Sequence, residues 1–71
     1  MDIGAAVKAM REGSAVARSG WNGKNMYLKL RHLNNANLPY VYMRTAQGDI
    51  VPWTCSQSDL LADDWAVVTN V

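Results

Sequence analysis

Asn25-Met26-Tyr27-Leu28-Lys29-Leu30-Arg31 decides the fold class of this chain, because its side chains change character at every step. Met26, Leu28 and Leu30 are apolar, while Tyr27, Lys29 and Arg31 between them carry polar or charged tips. A period of two puts the first set on one face of a β-strand and the second on the other, so one face is buried and one is open. Residues 40–44 repeat the pattern, with Val41 and Met43 opposite Tyr40, Tyr42 and Arg44. Ala46-Gln47-Gly48-Asp49 reads as a hairpin turn, and the strand returning over 50–53 contains Pro52. Proline has no amide proton to give a neighbour, which places that strand at a sheet edge or ends it there.

Upstream the period lengthens. Ile3, Val7 and Met10 fall at i, i+4 and i+7, and alanines at 5, 6 and 9 favour helix, so an amphipathic helix is predicted over 2–12. Asp2 can cap it and Gly13 can end it. Its narrow apolar stripe suits a helix laid across a sheet. Ala15-Val16-Ala17 is the centre of a small strand over 14–18, Ser19-Gly20 begins a turn that delivers Trp21, and Asn22-Gly23 is a turn signal. Residues 33–38, rich in asparagine, read as a loop. Downstream, Ser56 and Asp59 have the spacing of a capping box with an acidic third residue, predicting one helical turn through Leu60 and Leu61. Residues 65–69 form a last strand. No repeat, low-complexity tract or linker divides the 71 residues, which are expected to make one domain. The fold expected is α+β: a small antiparallel sheet of about five strands, one N-terminal helix packed on it, and a short helical turn before the last strand.

Composition narrows the function. A core this small leaves an isolated protomer marginal. Cys55 and His32 are the only residues of their kinds, too few for a disulfide or a structural metal, so self-association is the expected remedy. Seven basic and six acidic residues give a formal charge of +1, which supplies neither a duplex-binding patch nor an acidic tail. Nucleic acid is therefore not an expected partner. Met1-Asp2-Ile3-Gly4 is no basic leader, and later apolar runs are broken every few residues, so neither a signal peptide nor a membrane span is expected. An unpaired cysteine suits a reducing compartment, and the chain reads as cytosolic. With one histidine and one cysteine, no nucleophile with its base and no three-ligand metal site can be assembled in a protomer. Asp63 and Asp64 are sequence neighbours that point apart, and no Walker or Rossmann glycine loop is present. The expectation is a binder without a cofactor, not an enzyme.

Two islands supply the binding chemistry. Trp21-Asn22-Gly23-Lys24 sets an indole, an amide and an ammonium around a glycine that lets backbone approach a ligand, a combination suited to a base and a phosphate. The same residues also describe a tight turn whose indole packs on the sheet. Trp53, after a proline at a strand end, suits a pocket wall or a subunit contact as well as a core. Trp65 opens the apolar run Trp65-Ala66-Val67-Val68 and reads as core or interface before ligand platform. Asp64 offers either an acceptor for ribose hydroxyls or a tie for a turn, and Asp59 and Ser56 divide in the same way between pocket and cap. Tyr27, Lys29, Arg31, Tyr40, Tyr42 and Arg44 interleave rings with cations on one face, as a surface for single-stranded nucleotides or for another subunit does. Arg44 is the member best suited to reach a phosphate.

Taken in order, Ala6-Val7-Lys8-Ala9-Met10-Arg11-Glu12-Gly13, Val16-Ala17-Arg18, Trp21-Asn22-Gly23-Lys24, Ile50-Val51-Pro52-Trp53 and Ser56-Gln57-Ser58-Asp59-Leu60-Leu61-Ala62-Asp63-Asp64-Trp65 resemble the second family of Thoeris anti-defence proteins, small proteins of phages and prophages. The resemblance implies a homotetrameric sponge in the bacterial host cytoplasm, which sequesters glycocyclic ADP-ribose, and in some members cyclic dinucleotides, without cleaving it. It carries Trp21, Asn22, Lys24, Trp53 and Asp59 over as pocket candidates, with Arg44 and Asp64 added on chemical grounds. Many relatives have a longer insertion between the second and third strands, where 31–39 here is brief. The rival readings are a protein-interaction or regulatory module, anchored by the same tryptophans, and a single-stranded nucleic-acid binder using the Tyr/Arg face.

Overall fold

The computed structural model describes residues 1–32, 38–69 and 71, and the asparagine-rich loop expected over 33–38 falls almost wholly outside them. In chain order the elements are α1 (Ile3–Arg11), β1 (Ala15–Arg18), β2 (Tyr27–Arg31), β3 (Tyr40–Arg44), β4 (Ile50–Pro52), α2 (Gln57–Leu61) and β5 (Trp65–Val68). The strands form one sheet in the order β4-β3-β2-β1-β5. Every neighbouring pair is antiparallel. The expected α+β architecture is present, with ends differing by a residue or two: Met26 precedes β2, and Trp53 leaves β4 after Pro52.

Helix α1 forms where the alanines and the apolar spacing put it, and both ends are closed. Asp2 accepts the Ala5 N–H on its carboxylate at 2.9 Å. At the other end Gly13 N–H donates to Met10 O and Ser14 N–H to Ala9 O, each at 3.0 Å. This pairing needs a left-handed residue, and Gly13 supplies it at φ 97°.

Strand register then sorts the side chains. Val16 pairs with Leu28 and with Val67, Leu28 with Met43, and Met43 with Val51. One apolar row therefore crosses all five strands on a single face. Helix α1 lies over its middle, where Ala6, Met10, Val16, Leu28 and Trp65 make the buried core. The ends of the row stay open, with Val67 48% exposed and Val51 40%. On the opposite face Tyr27 pairs with Arg44, Lys29 with Tyr42 and Arg31 with Tyr40. Each cation thus stands directly across from a tyrosine, and the alternation read in the sequence becomes one aromatic and cationic surface.

Pro52 sits where its chemistry allows. Trp53 N–H donates inward to Val41 O at 3.0 Å, so the intervening position at Pro52 turns its missing N–H off the outer edge. The sheet also curls. Strands about 4.8 Å apart would leave β4 and β5 roughly 19 Å from one another in a flat sheet. Yet Trp53, leaving β4, meets Trp65, opening β5, with ring centroids 6.1 Å apart. The two edges must bend towards each other over the covered face. Among the described residues, no helix is long and apolar enough to cross a membrane.

Leu28 is fully buried between α1 and the sheet, whereas Val51 of the same row is half open. Leu28→Ala is expected to lower unfolding free energy by about 3 kcal/mol and Val51→Ala by less than about 1 kcal/mol, as read from denaturant midpoints.

Candidate ligand-binding site

The covered face ends in a cluster of three indoles. Trp65 is 2% exposed. Trp21 meets it edge to face at 5.4 Å and 80°, and Trp53 meets it in the same manner at 6.1 Å and 86°. The outer two rings are half buried, so each keeps surface open to a planar partner.

Asp59 ties the cluster together. Ser56 caps α2 by accepting the Asp59 N–H at 3.1 Å. Asp59 Oδ1 accepts Trp21 Nε1 at 3.2 Å and Arg18 Nη1 at 2.9 Å, while its backbone carbonyl accepts Trp65 Nε1 at 3.0 Å. Arg18 also donates from Nε to Asp64 Oδ1 at 2.7 Å. The second Asp64 oxygen takes the Gly20 N–H at 2.8 Å and the Ser19 hydroxyl at 3.3 Å. A side chain at position 20 would bring its Cβ to 2.9 Å from that oxygen, so the approach requires glycine.

These contacts set the ionisation of the cluster. Burial works to raise the Asp59 carboxyl, but hydrogen bonds from Arg18, Trp21 and Ser56 and the guanidinium charge outweigh it and hold the carboxyl below its ordinary value. The Arg18 hydrogen bond, joined by the Gly20 amide, depresses Asp64 against the opposing effect of desolvation. Arg18 is raised in turn, first by Asp64 and then by Asp59. Desolvation, with Asp59 nearby, pushes the thiol of the exposed Cys55 up. One cation against two carboxylates leaves the cluster net negative. It favours hydroxyl and amino donors on a ligand and repels a phosphate placed directly against Asp59.

The structure gathers four of the seven expected site residues, Trp21, Trp53, Asp59 and Asp64, around Trp65 and Arg18. Asn22 and Lys24 follow Trp21 on the chain, both exposed. Arg44 is not with them. Its pairing with Tyr27 puts it on the opposite sheet face, beside a cavity of about 270 Å³ lined by Asn25, Tyr27, Arg44 and Val71. A larger cavity of about 310 Å³ lies under the end of α1, lined by Val7, Met10, Arg11, Leu30, Pro39, Tyr40 and Val41, and holds none of the expected residues. Arg18 is the group that sequence reasoning left out. Its sequence signal is a charged residue closing a short apolar strand two residues after core Val16, which does not name its partners. Among the described residues, no group of three or more His, Cys, Asp or Glu side chains is placed to hold a metal ion.

Comparison with known proteins gives a consistent picture. The Thoeris anti-defense 2-like domain matches residues 1–68. Thoeris anti-defense 2 of Bacillus phage SP01 is 35% identical over 85 aligned positions, which take in 97% of this chain and 96% of that protein. Those positions outnumber the 71 residues here, so the phage relative carries inserted residues that this chain lacks.

Because Asp59 and Asp64 are depressed in the folded state, the unfolded chain binds more protons as pH drops past the ordinary aspartate value of about 4. Their stabilisation is complete above that value and is lost as pH falls through the folded-state values. The melting temperature is expected to fall steeply below about pH 4. In Asp59→Asn and Asp64→Asn it should start lower at neutral pH and fall less on acidification, as measured by calorimetry across pH 7 to 2.5.

Proposed function

The chain belongs to the Thoeris anti-defense 2-like family, and on that premise we propose that it acts as a sponge, holding a cyclic nucleotide immune signal of the glycocyclic ADP-ribose type without cleaving it. Membership supports the anti-defence role. The observation that carries the sponge reading is the indole cluster: two half-open rings braced on a buried third, with the Asp59 carboxylate between the elements that hold them.

Each part of such a ligand finds a suitable group. A purine ring stacks on Trp21 or Trp53, ribose hydroxyls donate to Asp59, whose side chain keeps 13% of its surface open, and phosphates lie outward toward Lys24 and the Asn22 amide. The net negative charge at Arg18, Asp59 and Asp64 orients the ligand with its phosphates away from the floor. A sponge works by depletion, so slow release matters and turnover does not. Cyclic dinucleotides share this chemistry and form a second ligand class.

We further propose that the protein works as a homo-oligomer, a tetramer on the family pattern, in the host cytoplasm. The support is the open sheet face, where Tyr27, Lys29, Tyr42 and Arg44 are only half exposed and no second layer of this chain covers them among the described residues. A single-stranded nucleic acid is the rival occupant of that face.

Isothermal titration with glycocyclic ADP-ribose should give saturable heat, and chromatography of the heat-denatured complex should return the ligand intact. No heat with that ligand or with cyclic dinucleotides would remove the sponge reading, and a cleaved product would make the protein an enzyme. Trp53→Ala should weaken binding by about 5- to 150-fold, the range for loss of one stacking ring, while the oligomer keeps its elution volume. A Trp53→Ala monomer would make that indole a subunit contact instead.

A further inference from the structure

Residues 19–26, between β1 and β2, carry Trp21, Asn22 and Lys24, and the structure fastens this strap at both ends. At its start Asp64 takes the Gly20 N–H at 2.8 Å. At its end Arg44 Nη1 donates to the Asn25 carbonyl at 3.0 Å and to the Thr45 carbonyl at 3.1 Å. Between the two fastenings the strap presses on the turn after β3. A Cβ at Gly23 would run into the Met26 thioether and stand 3.2 Å from Ala46 Cβ. Asn25 itself takes a left-handed backbone at φ 63°, the one non-glycine among the described residues to do so. Asparagine tolerates that conformation at a modest cost, which persists only where neighbours hold it.

We infer that Arg44 is a positioning residue: it fixes the Asn25 carbonyl, and through the strap the placement of Lys24 and Trp21, and does not itself touch a ligand stacked at the indoles. Three observations carry this. Arg44 pairs with Tyr27 on the sheet face opposite Trp65 and Arg18. One of its nitrogens already spans two carbonyls, one on the strap and one at the end of β3. The strap has no helix or strand of its own to hold its shape, so its end must be held from outside. A rigid, planar guanidinium suits that task. Both bonds come from Nη1, which the planar group holds in one place, whereas a lysine carries its charge on a flexible stem without that constraint.

The functional half of this inference rests on the sponge reading, and two arms of one experiment keep them apart. In the ligand-free protein, backbone order parameters at Gly23, Lys24 and Asn25 should fall from about 0.85 to below about 0.6 in both Arg44→Ala and Arg44→Lys, with α1 and β2 amides unchanged as evidence of folding. In titrations with glycocyclic ADP-ribose both variants should lose affinity alike, by about tenfold, a loss of about 1.4 kcal/mol. Wild-type affinity in Arg44→Lys with weak binding in Arg44→Ala would overturn the inference, because charge alone would then suffice, as for a direct phosphate contact. Unchanged strap order parameters in both variants would overturn it as well. Should the wild type give no heat with this probe, the sponge reading fails and the order parameters still decide whether Arg44 holds the strap.

Discussion

The Asp59 carboxylate is the junction on which this small structure depends. One oxygen receives both the Arg18 guanidinium and the Trp21 indole N–H, and the backbone carbonyl of the same residue receives Trp65. Helix α2 spans five residues and buries none of them. A helix so short does not persist on intrinsic propensity, and this one has no apolar face in the core to hold it. What keeps it in place is the Ser56 cap and the three bonds converging on Asp59. The proposed binding groups and the groups that hold the fold are therefore the same, since Asp59 is both the residue capped by Ser56 and the acceptor for the Trp21 ring.

The two faces of the sheet divide the remaining work. On one, a single apolar row from β4 to β5 is covered at its centre by α1, with the three indoles clustered on the same face and the ends of the row open. On the other, cations and tyrosines alternate across β2 and β3 with no covering layer among the described residues. Curling of the sheet links the two arrangements. It brings Trp53 from one edge to Trp65 at the other, gathering the indoles on the covered side and leaving the tyrosines and cations on the opposite one.

Where side chains act locally, their roles were readable along the chain. Alternation in residues 26–31 and 40–44 gave both strands and both faces, because period two is a property of backbone geometry. Asp2, Gly13, Ser56 and Pro52 act within a few residues of themselves, and each was found where its chemistry put it. What stayed hidden depends on pairings between distant segments. Arg18 meets Asp59 and Asp64 across 41 and 46 residues, and no spacing rule anticipates such an ion pair. Placement of β5 beside β1 and the meeting of Trp53 with Trp65 likewise follow from how the whole sheet closes. For Arg44 the alternation gives its place on the face of interleaved rings and cations, but which side that is relative to Trp65 depends on the strand order.

The indole arrangement also determines how the molecule handles light. Rings 5.4 Å and 6.1 Å from a shared neighbour are close enough to exchange excitation energy, so absorption by any one is emitted from whichever lies lowest. With three tryptophans in the chain and all three in this cluster, the protein has in effect one chromophore, and that chromophore lies at the candidate site. A molecule stacking on either outer ring would quench the emission of the whole set, making occupancy an intrinsic optical property that needs no label.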